Sequence, residues 1–222
     1  MPLPGQLDIR DKKNMNIDQI FANNKEWIAE KLKVDSDYFN NLSLGQSPKI
    51  LYIGCSDSRV SAEEIMGAKP GEVFVHRNIG NMVPNTDLNV MSVINYAVSY
   101  LKVKHVVVCG HYYCNGVKAA MKSEDMGILN PWLRNIRDVY RIHQSKLDNI
   151  TDEELRYKRL VELNVQEQCV NVLKTSDVQK AYKERTLTVN GWVFDIKTGL
   201  LIDLKIDFDK ILQKIMEIYR IV

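Results

Sequence analysis

The chain has 222 residues, of which 45% are hydrophobic and 26% charged, enough apolar material for a core that needs no disulfide staples. Its 30 basic and 28 acidic residues almost cancel, to a formal net charge of +2, and no basic arm or stripe points to nucleic acid. No apolar run approaches the roughly 20 residues of a membrane span, and the opening MPLPGQLDIRDKK has no signal-peptide character, so a cytoplasmic protein is expected.

Residues 16–33 read as an amphipathic helix, with Ile17, Ile20, Phe21, Trp27, Ile28 and Leu32 at helical spacing. Lys49–Gly54 (KILYIG) is a short apolar strand, followed by the polar CSDSR and a helix from Ala62. EVFVHR and VKHVVVCG make the second and third strands, with a helix at Asn89–Leu101 between them. These are continuous apolar runs, which suits a sheet covered on both faces. Helices follow at Pro131–Lys146 and Asp152–Lys174, the second with Val161, Val165, Cys169, Val172 and Leu173 on one face. TLTVNGWVFD and GLLIDLKID form a strand pair around the turn DIKTG, and a helix at Lys210–Ile221 closes the chain. Alternating strands and helices predict an α/β fold with a mainly parallel sheet. With no repeat or Gly/Ser linker, residues 1–222 are expected as a single domain: an N-terminal helical arm at 1–45, an α/β core at 46–207 and a C-terminal helix at 208–222.

Two loops leave strand ends carrying metal-competent residues. The first delivers Cys55 in IGCSDSR, and the second delivers His111 and Cys114 in GHYYCNGV. If the strand order is two-one-three, the two loops converge at the carboxyl end of the sheet, where ligands collect. Two thiols and one imidazole suit zinc, and three protein ligands leave a fourth position open, the arrangement of a catalytic site. Asp57 and Arg59 could pair beside the metal. Cys114 would open a short helix through Met121, whose dipole favours a thiolate.

CSDSR at Cys55–Arg59, HRN at His76–Asn78 and GHYYCNG at Gly110–Gly116 resemble, in order and spacing, the signatures of the β-class carbonic anhydrases. The resemblance runs from about Asn23 to Asp207 and includes PGEVFVHRNIGN and NGWVFD. It implies a four-stranded parallel sheet extended by an antiparallel strand, flanked by helices. It also implies one Zn2+ per chain on Cys55, His111 and Cys114, with Asp57 and Arg59 as a catalytic dyad. The reaction implied is reversible hydration of carbon dioxide to bicarbonate and a proton, by a zinc-bound hydroxide that the dyad orients. Gln46, Phe74 and Tyr96 fall at substrate-pocket positions, the last two offered across a dimer interface. A homodimer or homotetramer is implied, with the N-terminal helices embracing the neighbour.

In some members the dyad aspartate leaves its arginine to block the metal, and bicarbonate in a nearby pocket favours that state. Arg77 and Val60 match the pocket, whereas Tyr52 replaces a typical tryptophan and Phe194 a typical tyrosine. Phe194 has no hydroxyl to offer, which argues against bicarbonate regulation and leaves the switch of Asp57 open. The chain also departs from the family at Ser61, Tyr113 and Asn115. Asn115, by its tolerance of positive φ, is expected to keep the turn; Tyr113 narrows the entrance or faces the partner subunit.

Cys109 and Cys169 read as buried small hydrophobes. His105 and His143 read as structural or solvated, and His76 as a structural hydrogen-bonding residue. The competing functions are a carbon disulfide or carbonyl sulfide hydrolase on the same scaffold, a non-catalytic zinc or bicarbonate sensor, and a thiol redox protein using Cys109 and Cys114. The last pair lacks Cys-x-x-Cys spacing.

Overall fold

The computed structural model describes residues 16–218, so the opening thirteen residues and the end of a helix drawn to Ile221 lie outside the described residues. Contacts divide the chain into one unit up to Gly45 and another from Gln46 onward. The first unit holds α1 (Ile17–Val34) and α2 (Tyr38–Ser43). The Asn16 side chain caps α1 by accepting from the Gln19 amide at 2.7 Å. Asp18 in its first turn and Lys31 and Lys33 in its last complement the helix dipole. Trp27 packs edge-on against Phe39, with ring centroids 5.3 Å apart.

The second unit is built on a five-stranded sheet: β1 (Ile50–Cys55), β2 (Val73–Asn78), β3 (His105–His111), β4 (Thr188–Asp195) and β5 (Leu200–Asp203). The order is β2-β1-β3-β4-β5; the first four run parallel and β5 returns antiparallel to β4. The expected strand order and terminal hairpin are therefore present. Both faces of β1 and β3 are covered, as their unbroken apolar runs require. Leu51, Ile53, Val106 and Val108 enter the main core with Val161, Val165 and Val172. Tyr52, Val107 and Cys109 turn to a smaller cluster with Ala62, where Trp192 and Phe194 are only partly buried.

The helices of this unit are α3 (Ala62–Met66), α4 (Leu88–Asn95), α5 (Asn115–Ala120), α6 (Asn130–Ile142), α7 (Gln144–Asp148), α8 (Glu153–Leu173), α9 (Ser176–Lys183) and α10 (Phe208–Ile218). Three differ from expectation. The helix expected over Asn89–Leu101 changes after Asn95 into a π-helical turn, Tyr96–Tyr100, closed by the Leu101 amide on the Tyr96 carbonyl. The helix expected over Pro131–Lys146 breaks at His143, which is buried and bonds Glu167 Oε1 at 2.8 Å; it is not solvated. Helix α9, which buries Val178 and Gln179, was not expected from the sequence. Among the described residues no helix is long and apolar enough to cross a membrane.

β3 and α8 approach closely at Gly110, where an added Cβ would lie 2.7 Å from Val165 Cγ2. Val165 is fully buried and cannot give way. Gly110→Ala is therefore expected to destabilise the fold by about 1–3 kcal/mol, read as a lower urea midpoint at unchanged slope.

Candidate metal centre

β1 and β3 pair in register from Ile50 opposite His105 to Gly54 opposite Cys109. Cys55 and His111 thus leave adjacent strands at the same rim, and Cys114 returns to it as the N-cap of α5. Among the described residues these three are the one His/Cys/Asp/Glu group able to hold a metal, their ligand atoms all within 4.8 Å of one another. Cys55, His111 and Cys114 are only 5%, 1% and 2% exposed. The two sulfurs stand 3.8 Å apart. His111 Nδ1–H donates to the Tyr112 carbonyl at 3.0 Å, which directs the Nε2 lone pair inward. That Nε2 is buried with no hydrogen-bond partner. A buried acceptor left so costs free energy unless something binds it.

Two thiols this close cannot both ionise freely. The hydrogen bond from Cys114 lowers Cys55, with further help from His111 and the Gly80 amide at 3.5 Å. The same interaction, with burial, raises Cys114, against which the amides of Val117 and Gly116 pull weakly. A cation would relieve this conflict by favouring both thiolates.

Asp57 and Arg59 form a two-pronged pair: Arg59 Nε donates to Asp57 Oδ1 at 2.9 Å and Nη2 to Oδ2 at 2.7 Å. The Arg59 amide adds a bond to Oδ1 at 3.0 Å. The Arg59 guanidinium holds the Asp57 carboxyl well below the usual carboxylate range. Asp57 Oδ2 lies 3.8 Å from His111 Nε2, so the carboxylate overlooks the cluster.

The turn between His111 and Cys114 is carried by Tyr113, at φ 65°; Asn115, expected there, already begins the right-handed α5. The chain must reverse before Cys114 so that both side chains face inward. The left-handed residue also aims the Tyr113 carbonyl at Arg59 Nη2, 3.1 Å away. Tyr157 Oη steadies the next carbonyl, that of Cys114, at 3.3 Å.

A carbonic anhydrase family profile matches residues 50–201. A carbonic anhydrase of Emericella nidulans is 61% identical over 92% of this chain and 90% of its own length. The crystal structure of the β-carbonic anhydrase CafA of Aspergillus fumigatus superposes with a TM-score of 0.86 at 38% identity, covering 92% of this chain and 99% of the other. One of two tetrameric β-carbonic anhydrases of Sordaria macrospora gives 0.81 at 41% identity, over 84% and 95%. The chain belongs to the β-class carbonic anhydrases. Its activity is accordingly the hydration of carbon dioxide.

The other residues singled out in the sequence of this carbonic anhydrase are placed less centrally. Gln46 is exposed just ahead of β1. Phe74 and Tyr96 lie together, centroids 5.8 Å apart, and Tyr96 stacks on Tyr100 at 5.6 Å; Phe74 packs against the main core, to which Cys55 and Cys114 belong. Arg77 is bonded to backbone, Nε to the Cys55 carbonyl at 2.8 Å and Nη2 to the Asp57 carbonyl at 2.6 Å. Val60 is buried, its amide on the Asp57 carbonyl at 3.1 Å. Tyr52 and Phe194 share the smaller apolar cluster, where Tyr52 Oη is buried with no hydrogen-bond partner. Cys109 is in that cluster too, apart from Cys114 in the main core, and burial pushes its thiol up to about 12. A Cys109–Cys114 redox pair has no geometric basis.

Sequence reasoning missed the groups that hold the 78–83 loop against Cys55. The available signal was Asn164 and Gln168, four residues apart on the apolar side of α8.

A left-handed residue with a Cβ costs about 1–2 kcal/mol. Tyr113→Gly should therefore be more stable than Tyr113→Ala by about that amount, reversing the usual order; thermal melts of the two variants test it.

Proposed function

We propose that one zinc ion per chain is held by Cys55, His111 and Cys114 and that Asp57, locked by Arg59, orients the nucleophile that attacks carbon dioxide. The carrying observation is the sulfur separation. Two Zn–S bonds of about 2.3 Å at the tetrahedral angle set the sulfurs about 3.8 Å apart, and Cys55 and Cys114 stand at 3.8 Å. The unpartnered Nε2 of His111 and the soft thiol pair complete a donor set that suits zinc. Three protein ligands leave a position for water or substrate.

When bound, zinc supplies the chemistry by lowering the pKa of water from about 15.7 toward 7, giving hydroxide at neutral pH. The chain's own part is orientation. An ionised carboxylate only accepts hydrogen bonds. Asp57 Oδ2 would therefore accept the proton side of a hydroxide supplied there and leave its lone pair free for the carbon of carbon dioxide. Arg59 keeps Asp57 ionised and occupies its other lone pairs. In this reading Gln46, Phe74 and Tyr96 contact carbon dioxide or bicarbonate, and a second copy covers the exposed Tyr96 and Tyr100 in a homodimer or homotetramer. The tetrameric relative of Sordaria macrospora supports that assembly. The four cysteines, all free of disulfides, fit a reducing cytoplasm.

The expected results are one zinc per chain by metal analysis and rapid hydration of carbon dioxide by stopped flow. Cys55→Ala should lose the zinc, and Arg59→Ala should keep it while lowering kcat about 10²-fold through misplacement of Asp57. Zinc without hydration would favour a sensor, and hydrolysis of carbon disulfide without hydration the alternative enzyme. Full zinc retention in Cys55→Ala would overturn the ligand set.

The same reading leaves bicarbonate without regulatory force. Arg77 is engaged by two carbonyls, and Phe194 has no hydroxyl to present to an anion. Bicarbonate is expected to inhibit hydration without cooperativity near neutral pH. Cooperative inhibition that vanishes in Arg77→Ala would contradict this.

A further inference from the structure

The Gly80 amide that reaches Cys55 Sγ at 3.5 Å belongs to a loop held from two helices. The peptide between Ile79 and Gly80 has its carbonyl at one end and this N–H at the other. Trp132 Nε1 of α6 donates to that carbonyl at 2.7 Å. The next peptide is held as well, since Asn164 Nδ2 of α8 donates to the Gly80 carbonyl at 2.9 Å. Gln168 seats Asn164, its Nε2 donating to Asn164 Oδ1 at 3.2 Å, while its Oε1 accepts from the Val83 amide at 2.8 Å. Asn78 closes the same loop by bonding both the amide and the carbonyl of Met82, at 2.7 and 2.8 Å.

Asn164 and Gln168 are each 1% exposed, on a helix face otherwise filled by Val161, Val165, Cys169 and Val172. Two amides in such a place gain little stability over apolar residues of the same shape. What they do is fix backbone that would otherwise relax, with φ positive at both Gly80 (79°) and Asn81 (50°). The fit leaves little slack: a Cβ on Gly116, at the head of α5, would lie 2.8 Å from Ile79 Cγ2. A donor on the carbonyl end of a peptide also polarises it and strengthens what its N–H gives.

We propose that Trp132 and Asn164 are positioning residues of the metal centre, which clamp the peptides on either side of Gly80 so that its amide donates to the Cys55 sulfur. This rests on the reading of Cys55 as a metal ligand. Outer hydrogen-bond partners of this kind typically carry about 10–100-fold in metal affinity.

The test uses full-length protein, Trp132→Phe and Asn164→Ser, with Leu187→Ala, at a buried main-core residue that bonds nothing in this loop, as a core-destabilised control. Zinc affinity is read by chelator competition, and the sulfur-to-cobalt charge-transfer band by absorption of the cobalt(II) form. Both variants are expected to bind zinc about 10–100-fold more weakly, because Cys55 is no longer held in position, and to shift the cobalt band to lower energy, because the sulfur lone pair rises in energy when it loses a hydrogen bond. The control should melt earlier with its band unmoved. Affinity within threefold of the parent and an unshifted band in Trp132→Phe would overturn the proposal, even if Asn164→Ser fails to fold. A parent protein that binds neither metal would instead bring down the ligand reading itself, and this proposal with it.

Discussion

The parallel pairing of β1 with β3 is the constraint on which the rest depends. It aligns Gly54 with Cys109, so that one further residue on β1 and two on β3 bring Cys55 and His111 to a common rim. β2 lies on the other side of β1, which makes the gap between β1 and β3 the place where strand order reverses. A register slip of one residue would turn Cys55 to the opposite face of the sheet and out of reach of Cys114. The buried valines of β3 and the main-core side chains of β1 prevent it, because a slip would expose or misplace all of them together. Hydrophobic packing thereby guarantees a geometry needed by polar chemistry.

At that rim local preferences are repeatedly overruled. Three titratable groups are buried together, an imidazole nitrogen goes without a partner, and a bulky Tyr113 adopts a left-handed backbone. Each choice is unfavourable alone, and their concentration in one place is a physical signature of a working site. The compensation comes from neighbours. Tyr112 fixes His111 through its carbonyl, Tyr113 gives its carbonyl to Arg59, and Arg77 binds the carbonyls of Cys55 and Asp57. Much of the support is thus backbone oxygen, whose direction depends on loop conformation and not on residue type.

That explains which parts could be read in the sequence. The strands, their order and the hairpin follow from apolar runs and turn residues, and Cys55, Asp57, Arg59, His111 and Cys114 sit in spacings that chemistry makes recognisable. The bend at His143 has no local signal, and Glu167, which bonds the His143 ring, is 24 residues away on another helix. Asn115 looked like the turn residue on intrinsic preference, but the direction in which Cys114 must return assigned the strain to Tyr113. Asn164 and Gln168 look like ordinary helix residues until the loop they hold is folded against them. Long-range partners of loops leave no local periodicity.

The dyad itself is unequal in its surroundings. The Arg59 side chain is 48% exposed and that of Asp57 13%. If the pair opens, Arg59 can be rehydrated in place, whereas Asp57 would keep a nearly buried charge beside His111 and need another cation to accept it. Backbone bonds also hold the ends unequally. The Asp57 carbonyl is anchored by Arg77 and Val60, so a swing of the carboxylate must come from its side-chain torsions and not from displacement of the strand end. Any departure of Asp57 from Arg59 toward the Cys/His cluster would therefore be a local rotation set against a two-pronged, charge-assisted bond. A cation, if held by Cys55, His111 and Cys114, would set the balance of that exchange.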